Sequence, residues 1–410
     1  MLHAKPQGSL MQPFRRRVLY IPGYDPIPPR RYRELYRREG AQQASISGYG
    51  LSLCARVDRT GFGWGAAGDF SDGAARAEFE VLIWADIVQG SMGRGILATY
   101  GQLVRTAWAY IGSGALFRLM RLRRGPVIAA LYPIVVLLAQ LLVALLAGWL
   151  VGWLAARFGG WWLGLPLMAA TAWGGLVLWR RLDGRIFAHY LMHDYAFTAE
   201  QGGAYPAALE GRVAQFTDRI ADVLQGDWDE VLIVGHSSGA YLAVSVLADL
   251  IRARRVPADG PTLSFLSLGH VVPMASFLPR ADRLRADLAY LSTRDELYWM
   301  DVTAPGDACC FGLCDPVAVT GVAPADQKHP LIISAAFTQT LSAEKQRALR
   351  GHWFRLHFQY LCTFDRPGDY DYFAITAGPQ TLAQRFAGRA HSPGRITTPA
   401  GPGNREKVSA

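Results

Sequence analysis

The chain has 410 residues, 51% of them hydrophobic and only 18% charged, with a net charge of +9 and five cysteines. Five is an odd number, and the spacings show no repeating frame, which excludes a disulfide scaffold and suits a reducing compartment. The positive charge accompanies no stacked aromatic and basic pattern, so it is not the footprint of a nucleic-acid module. The length would hold two or three average domains, but the apolar excess is concentrated in one place, which favours one decorated α/β fold with a large insertion.

Residues 1–14 lack a continuous apolar stretch, so they read as a loose tail and not as a secretory signal. Arg15, Arg16 and Arg17 lead into VLYI and then Pro22-Gly23-Tyr24-Asp25-Pro26, a short strand followed by a tight loop. The arginine-rich stretch 29–40 predicts a short basic helix, either solvated or lying against anionic headgroups. Strands are expected at 45–57 and 77–88, with the glycine-rich stretch 61–75 separating them. Residues 15–89 would thus form the first part of the sheet, and 90–125 a linking helical segment.

From Pro126 to Trp179 the only charged residue is Arg157, beside the break Phe158-Gly159-Gly160. The segments 133–155 and 161–179 each meet or nearly meet the ~20 residues needed to cross a bilayer core. Trp149, Trp153, Trp161 and Trp162 surround the break as an interfacial belt would, and Gly148 and Gly152 form a GxxxG that lets helices approach. Residues 126–180 are therefore expected to be a two-helix transmembrane hairpin. A re-entrant or soluble buried hairpin is the alternative, with Pro133 and Pro166 as possible breaks. Arg118, Arg121, Arg123 and Arg124 precede the first span and Arg180, Arg181 and Arg185 follow the second, so both flanks and both termini are expected in the cytoplasm. The chain would then be an integral protein of a bacterial-type inner membrane.

Beyond the hairpin, 187–200 reads as a loop or short helix near the active face. His189, His193 and Asp194 lie there, but their spacing lacks the further ligands of a metal site. An amphipathic helix is expected over 207–224. The next stretch is the most informative. Val231 to Val234 is a β-branched apolar run, Gly235-His236-Ser237-Ser238-Gly239 follows, and a helical apolar period starts at Ala240. Ser237 sits at a sharp strand-to-helix turn, where only small residues fit two positions to either side.

This strand, GHSSG turn and helix resemble the nucleophile elbow of the α/β-hydrolase superfamily in its lipase and esterase form. The resemblance implies a mostly parallel sheet flanked by helices, here split into 15–89 and 185–387 by the hairpin. It implies that Ser237 is a nucleophile and that the N–H groups of Ser238 and of Gly23 or Tyr24 form the oxyanion hole. It also implies that an acid and then a histidine follow in the chain. The strand 263–270 ends in His270 without an acid, whereas 297–305 leads into Asp307 in a Pro-Gly turn. Asp307 is the expected acid, with Asp301, Asp315 and Asp295 as alternatives. Among His329, His352, His357 and His391 the choice is His357, with His352 next, because the spacing from His357 to Tyr360 resembles the terminal histidine region of class 3 lipases. His391 lies in the Pro/Gly-rich stretch 388–410, which reads as a disordered tail. Cys309, Cys310 and Cys314 form no CxxC pair and have no adjacent histidine, so they read as small buried residues. No metal or organic cofactor is expected. The expected function is a membrane-anchored serine hydrolase cleaving an acyl ester or thioester of an amphiphilic substrate, with the bilayer as its partner. Alternatives are an acyltransferase or peptidase using the same residues, or a catalytically silent membrane scaffold.

Overall fold

The computed structural model describes residues 12–92 and 95–403, and its centre is a single sheet. The strands are β1 (Phe14–Ile21), β2 (Gly50–Cys54), β3 (Gly63–Phe70), β4 (Gly73–Val81), β5 (Glu230–His236), β6 (Thr262–Leu268), β7 (Tyr298–Thr303) and β8 (Leu331–Ser334). Their spatial order is β2-β3-β4-β1-β5-β6-β7-β8. Every junction from β4 across to β8 is parallel, and β2 and β3 add an antiparallel edge. The fold is a mixed α/β arrangement with helices on both faces. β1 shows why: Leu19 and Ile21 face one core and Val18 and Tyr20 the other, the alternation a strand imposes. The helices Ala207–Val223, Ser238–Arg252 and Asp282–Leu291 cover the first face, and Arg30–Ser47 with Tyr372–Ala377 cover the second.

Arg16 and Arg17 lie inside the sheet. The Arg16 guanidinium meets Glu230 at 2.5 Å, with both side chains fully buried, and Glu230 also accepts from Ser264 Oγ at 2.6 Å and Leu382 N at 2.7 Å. Arg17 meets Glu78 at 3.0 Å and also pairs with Glu80. Such pairs tie β1 to its neighbours, because a buried charge without a partner is strongly destabilising.

Several expected boundaries move. The basic helix continues to Ser47, so the strand expected from 45 begins only at Gly50. The glycine-rich stretch 61–75 contains β3, and β4 ends at Val81, leaving Ala85–Met92 helical where a strand was expected to 88. The linking segment holds the helices Ile96–Gly112 and Ala115–Leu119. The N-terminal tail shrinks, since Phe14 already starts β1; residues 1–11 and 404–410 lie outside the described residues. Residues 388–403, expected to be disordered, are pinned instead. Ser392 N donates to Ile332 O at 2.9 Å, Ile396 N donates to Leu313 O at 2.8 Å, and Arg395 pairs with Asp315 at 3.2 Å.

The apolar insertion is helical from Arg124 to Arg181, one element with non-helical backbone only at Gly159 and Gly160. The residues on either side of that break approach one another. A Cβ at Gly152 would stand 2.7 Å from Met168 Cβ, and one at Gly148 would stand 3.0 Å from Ala172 Cβ. The segment is long and apolar enough to cross a membrane, and only 22% of its most apolar stretch is buried. Large side chains such as Leu142, Trp149, Phe158 and Trp162 are exposed along it.

Candidate active site

The sheet register sets the site. Ile21 of β1 stands opposite Gly235 of β5, so two residues beyond the strand ends Gly23 comes beside Ser237. The approach is close: a Cβ at Gly23 would lie 2.9 Å from Ser237 Cβ and 3.4 Å from its Oγ. Ser237 has φ 57 and ψ −121, a backbone conformation that a side chain rarely adopts. The flanking glycines allow it. A Cβ at Gly235 would lie 2.8 Å from the Gly239 carbonyl oxygen, and one at Gly239 would press on the Pro22 carbonyl at 2.7 Å. The N–H of Ser237 donates back to Leu268 O of β6 at 2.9 Å, which holds the turn against the sheet. Among the described residues neither the N–H of Gly23 nor that of Ser238 meets an acceptor. Tyr24 directs its carbonyl to the Tyr190 hydroxyl and packs its ring against Trp84 and Phe197.

Asp307 lies in the turn after β7, its N–H bonded to Ala304 O at 3.0 Å. Its side chain is buried and fully engaged. Oδ2 meets His357 Nδ1 at 2.7 Å and accepts from the Tyr360 hydroxyl at 3.1 Å, while Oδ1 accepts from Cys309 N at 2.9 Å. Burial alone would push this carboxyl up, but the His357 ring and the donors around it hold it below the usual carboxylate range. With Nδ1 committed to Asp307, the other nitrogen of His357, Nε2, is buried without a hydrogen-bond partner. Ser237 Oγ has none either among the described residues, and Ser237 and His357 line one cavity of about 70 Å³ with Gly23, Tyr24, Asp194 and Ser238.

His236 supports this arrangement from behind. Burial, and then the neighbouring His357 ring, push its pKa down to about 3, so the imidazole is neutral. Its Nε2 lies 3.1 Å from the His357 carbonyl, where a neutral ring donates, and the two rings stand 4.9 Å apart.

The structure thus brings Ser237, Asp307 and His357 to one place and leaves their alternatives elsewhere. Asp301 is buried in β7 and accepts from Ser267 Oγ at 2.6 Å. Asp315 caps the helix Pro316–Thr320, and Asp295 is an exposed partner of Lys328. His352 is exposed and turned to the Arg350 carbonyl, His391 Nδ1 accepts from Ile332 N, and His329 packs on Tyr298. His189 and His193 do not converge on a ligand; His193 Nδ1 meets Gln102 Oε1 at 2.9 Å.

Sequence reasoning missed two neighbours, Gly269 and Cys309, and had Asp194 near the active face without a role in the site. Gly269, with φ 54, makes room for the histidine, since a Cβ there would lie 3.1 Å from His357 Cε1 and 2.7 Å from Tyr360 Cε2. Asp194 faces the cavity from the helix Ala188–Ala199. Cys309 Sγ, an Asp307 oxygen and a His357 nitrogen lie within 4.8 Å of one another, a three-donor group whose carboxylate and imidazole already engage each other. A glycine directly after a β6-like run was the one local signal available; the other two depend on long-range packing. Comparison with protein-family models, with curated proteins and with solved structures returns no match to this chain.

Proposed function

We propose that the chain is a membrane-anchored serine hydrolase of the α/β-hydrolase kind that cleaves an acyl ester or thioester of an amphiphilic substrate. The observation that carries this reading is the strained Ser237 sharing a cavity with the unpartnered Nε2 of a histidine whose other nitrogen is fixed by Asp307. A serine hydroxyl becomes nucleophilic when such a nitrogen accepts its proton. Ser237 Oγ attacks the acyl carbon while His357 Nε2 takes the proton, and Asp307, held ionised, stabilises the imidazolium. The oxyanion that forms takes hydrogen bonds from the N–H groups of Ser238 and of Gly23 or Tyr24, each worth roughly 3–4 kcal/mol in such sites. Collapse expels the alcohol or thiol, which receives the proton from His357. Water, deprotonated by the same nitrogen, then attacks the acyl-enzyme and releases the acid.

Membrane attachment draws support from the exposed apolar side chains of Arg124–Arg181 and from where that segment begins. Pro126 borders the cavity, and a Cβ at Gly125 would lie 3.1 Å from Ala308 Cα, next to Asp307. Tyr195 and Met274 border both the cavity and an apolar recess that runs along Val127, Leu131 and Ile134. An acyl chain entering from the bilayer would meet this recess beside the serine. In this reading 126–180 is a transmembrane hairpin, the arginines flanking it lie on the cytoplasmic side, and the serine faces the cytoplasmic leaflet.

A fluorophosphonate probe reacts only with an activated serine, so it tests the chemistry without a known substrate. Wild-type protein in membranes is expected to label, and Ser237→Ala and His357→Ala to abolish labelling. Folded wild-type protein that stays unlabelled would overturn the reading.

A further inference from the structure

Two carboxylates line the cavity of Ser237, and they differ in what they touch. Asp25 is fully occupied: Oδ1 accepts from Ile27 N at 3.0 Å, and Oδ2 meets the Tyr32 hydroxyl and the Arg31 guanidinium. The Asp194 carboxylate has no hydrogen bond or ion pair among the described residues, although it sits on the helix Ala188–Ala199 at the wall of the same cavity. The ionisable groups around it are His357, the Cys309 thiol and the hydroxyls of Tyr110, Tyr190, Tyr195 and Tyr241. Among the described residues no lysine or arginine is one of them, and Arg31 is spent on Asp25. Burial pushes the pKa of Asp194 up to about 7, with His357 pulling the other way.

The walls beside this carboxylate are aromatic. Tyr24, Tyr190, Tyr195, Tyr241 and Phe354 line the cavity, and the Tyr190 hydroxyl is already committed to the Tyr24 carbonyl. Asp194 is partly buried, and an acid with no cation beside it among such walls favours a positive partner. A hydrated metal ion fits poorly, because one carboxylate among aromatic rings supplies too few oxygen ligands. An alkylammonium fits well, since its charge meets the acid and its methyl or methylene groups meet aromatic surface.

We propose that Asp194 is the recognition group for an ammonium carried by the substrate, so that the favoured substrates are acyl esters of cationic amino alcohols. This rests on the hydrolase reading for the word substrate, but the binding site itself does not need catalysis. The test is therefore a binding measurement. Full-length Ser237→Ala protein in lipid nanodiscs is titrated calorimetrically at pH 8 with acetylcholine and with its uncharged carbon isostere, 3,3-dimethylbutyl acetate. Acetylcholine is expected to bind about tenfold tighter, the scale of one ionic and cation–π contact in a partly desolvated site. Adding Asp194→Asn is expected to erase that preference while leaving the isostere unchanged, and Asp194→Glu to keep part of it. Equal binding of the two esters, no binding of either, or a preference that survives Asp194→Asn would overturn the proposal. The two readings fail separately. Wild-type protein that prefers the cation but neither labels with fluorophosphonate nor turns the ester over keeps this site and loses the hydrolase. Wild-type protein that labels and shows no ammonium preference does the reverse.

Discussion

Along the centre of the sheet, Arg16 and Arg17 are buried yet each meets a carboxylate, and the apolar side chains of β1, β5 and β6 are covered on both faces. Along Arg124–Arg181 the arrangement is reversed: charge is nearly absent, and leucine, valine and tryptophan side chains stand exposed. The hydrophobic fraction of this chain is therefore two different surfaces. One is closed by the protein itself; the other is left open. They meet along the first turns of the segment, where Arg123 Nε donates to Gly312 O at 2.8 Å, Gly125 lies against Ala308, and Val127 and Leu137 are buried against neighbouring helices. Part of that contact is the turn carrying Asp307, so the candidate site lies on the sheet domain at the root of the apolar segment.

The sharpest way to break this contrast is to remove a charge from the sheet. Glu230→Ala would leave the Arg16 guanidinium buried without a carboxylate, a loss of roughly 3–5 kcal/mol. Thermal melting of the detergent-solubilised protein is expected to show a large drop in midpoint, and an unchanged midpoint would mean that β1 is not held by its ion pairs.

A smaller effect, of opposite sign, is expected at Asp194. Its folded pKa is raised from an ordinary 3.8 to about 7, so between those values the unfolded chain has released the proton and the folded chain still holds it. Folded stability falls as pH rises through that window and is flat above it. Asp194→Asn has no proton to lose there. The variant is expected to melt several degrees above wild type at pH 8, with the gap closing towards pH 4. A residue that costs stability at neutral pH and lines a reactive cavity fits a binding role better than a structural one. Equal melting of the two proteins at pH 8 would mean the carboxylate has an unseen partner.

The parts of the fold that were legible in the sequence are those where local chemistry leaves few choices. The turn at Ser237 is tolerated only between Gly235 and Gly239; Asp307 and His357 were favoured by the family resemblance, with Asp301, Asp315, Asp295 and His352 left open until the structure brought Asp307 and His357 together. What was missed depends on distant packing. β3 hides in a glycine-rich stretch because its glycines face close neighbours; a Cβ at Gly65 would lie 2.8 Å from Cys54 Sγ. The stretch 388–403 looks disordered by composition, yet Ser392 and Ile396 find backbone partners beside β8 and in the loop after β7. Asp194 fell on a stretch expected near the active face, but its isolation was not legible, because the walls around it come from β1, β5 and the segment around Phe354, far away in the chain.

The least disruptive change probes the far end of the apolar segment. A side chain at Gly152 would collide with Met168 Cβ, at 2.7 Å, and with the Gly164 carbonyl, at 2.8 Å, so Gly152→Leu must push the two arms apart. Oxidative crosslinking reads that separation. A Cβ at Gly175 stands 3.2 Å from Ala144 Cβ, so Ala144→Cys with Gly175→Cys is expected to form a disulfide in the parent and to lose most of it when Gly152→Leu is added. The serine should scarcely notice. The cavity touches this segment only at Pro126, many turns from Gly152, and changes at such separation act independently, so fluorophosphonate labelling is expected to stay within about twofold of wild type. Labelling that collapses together with the crosslink would show that the arms and the Asp307 turn move as one body. The apolar segment would then be coupled to the proposed site and not a separate element.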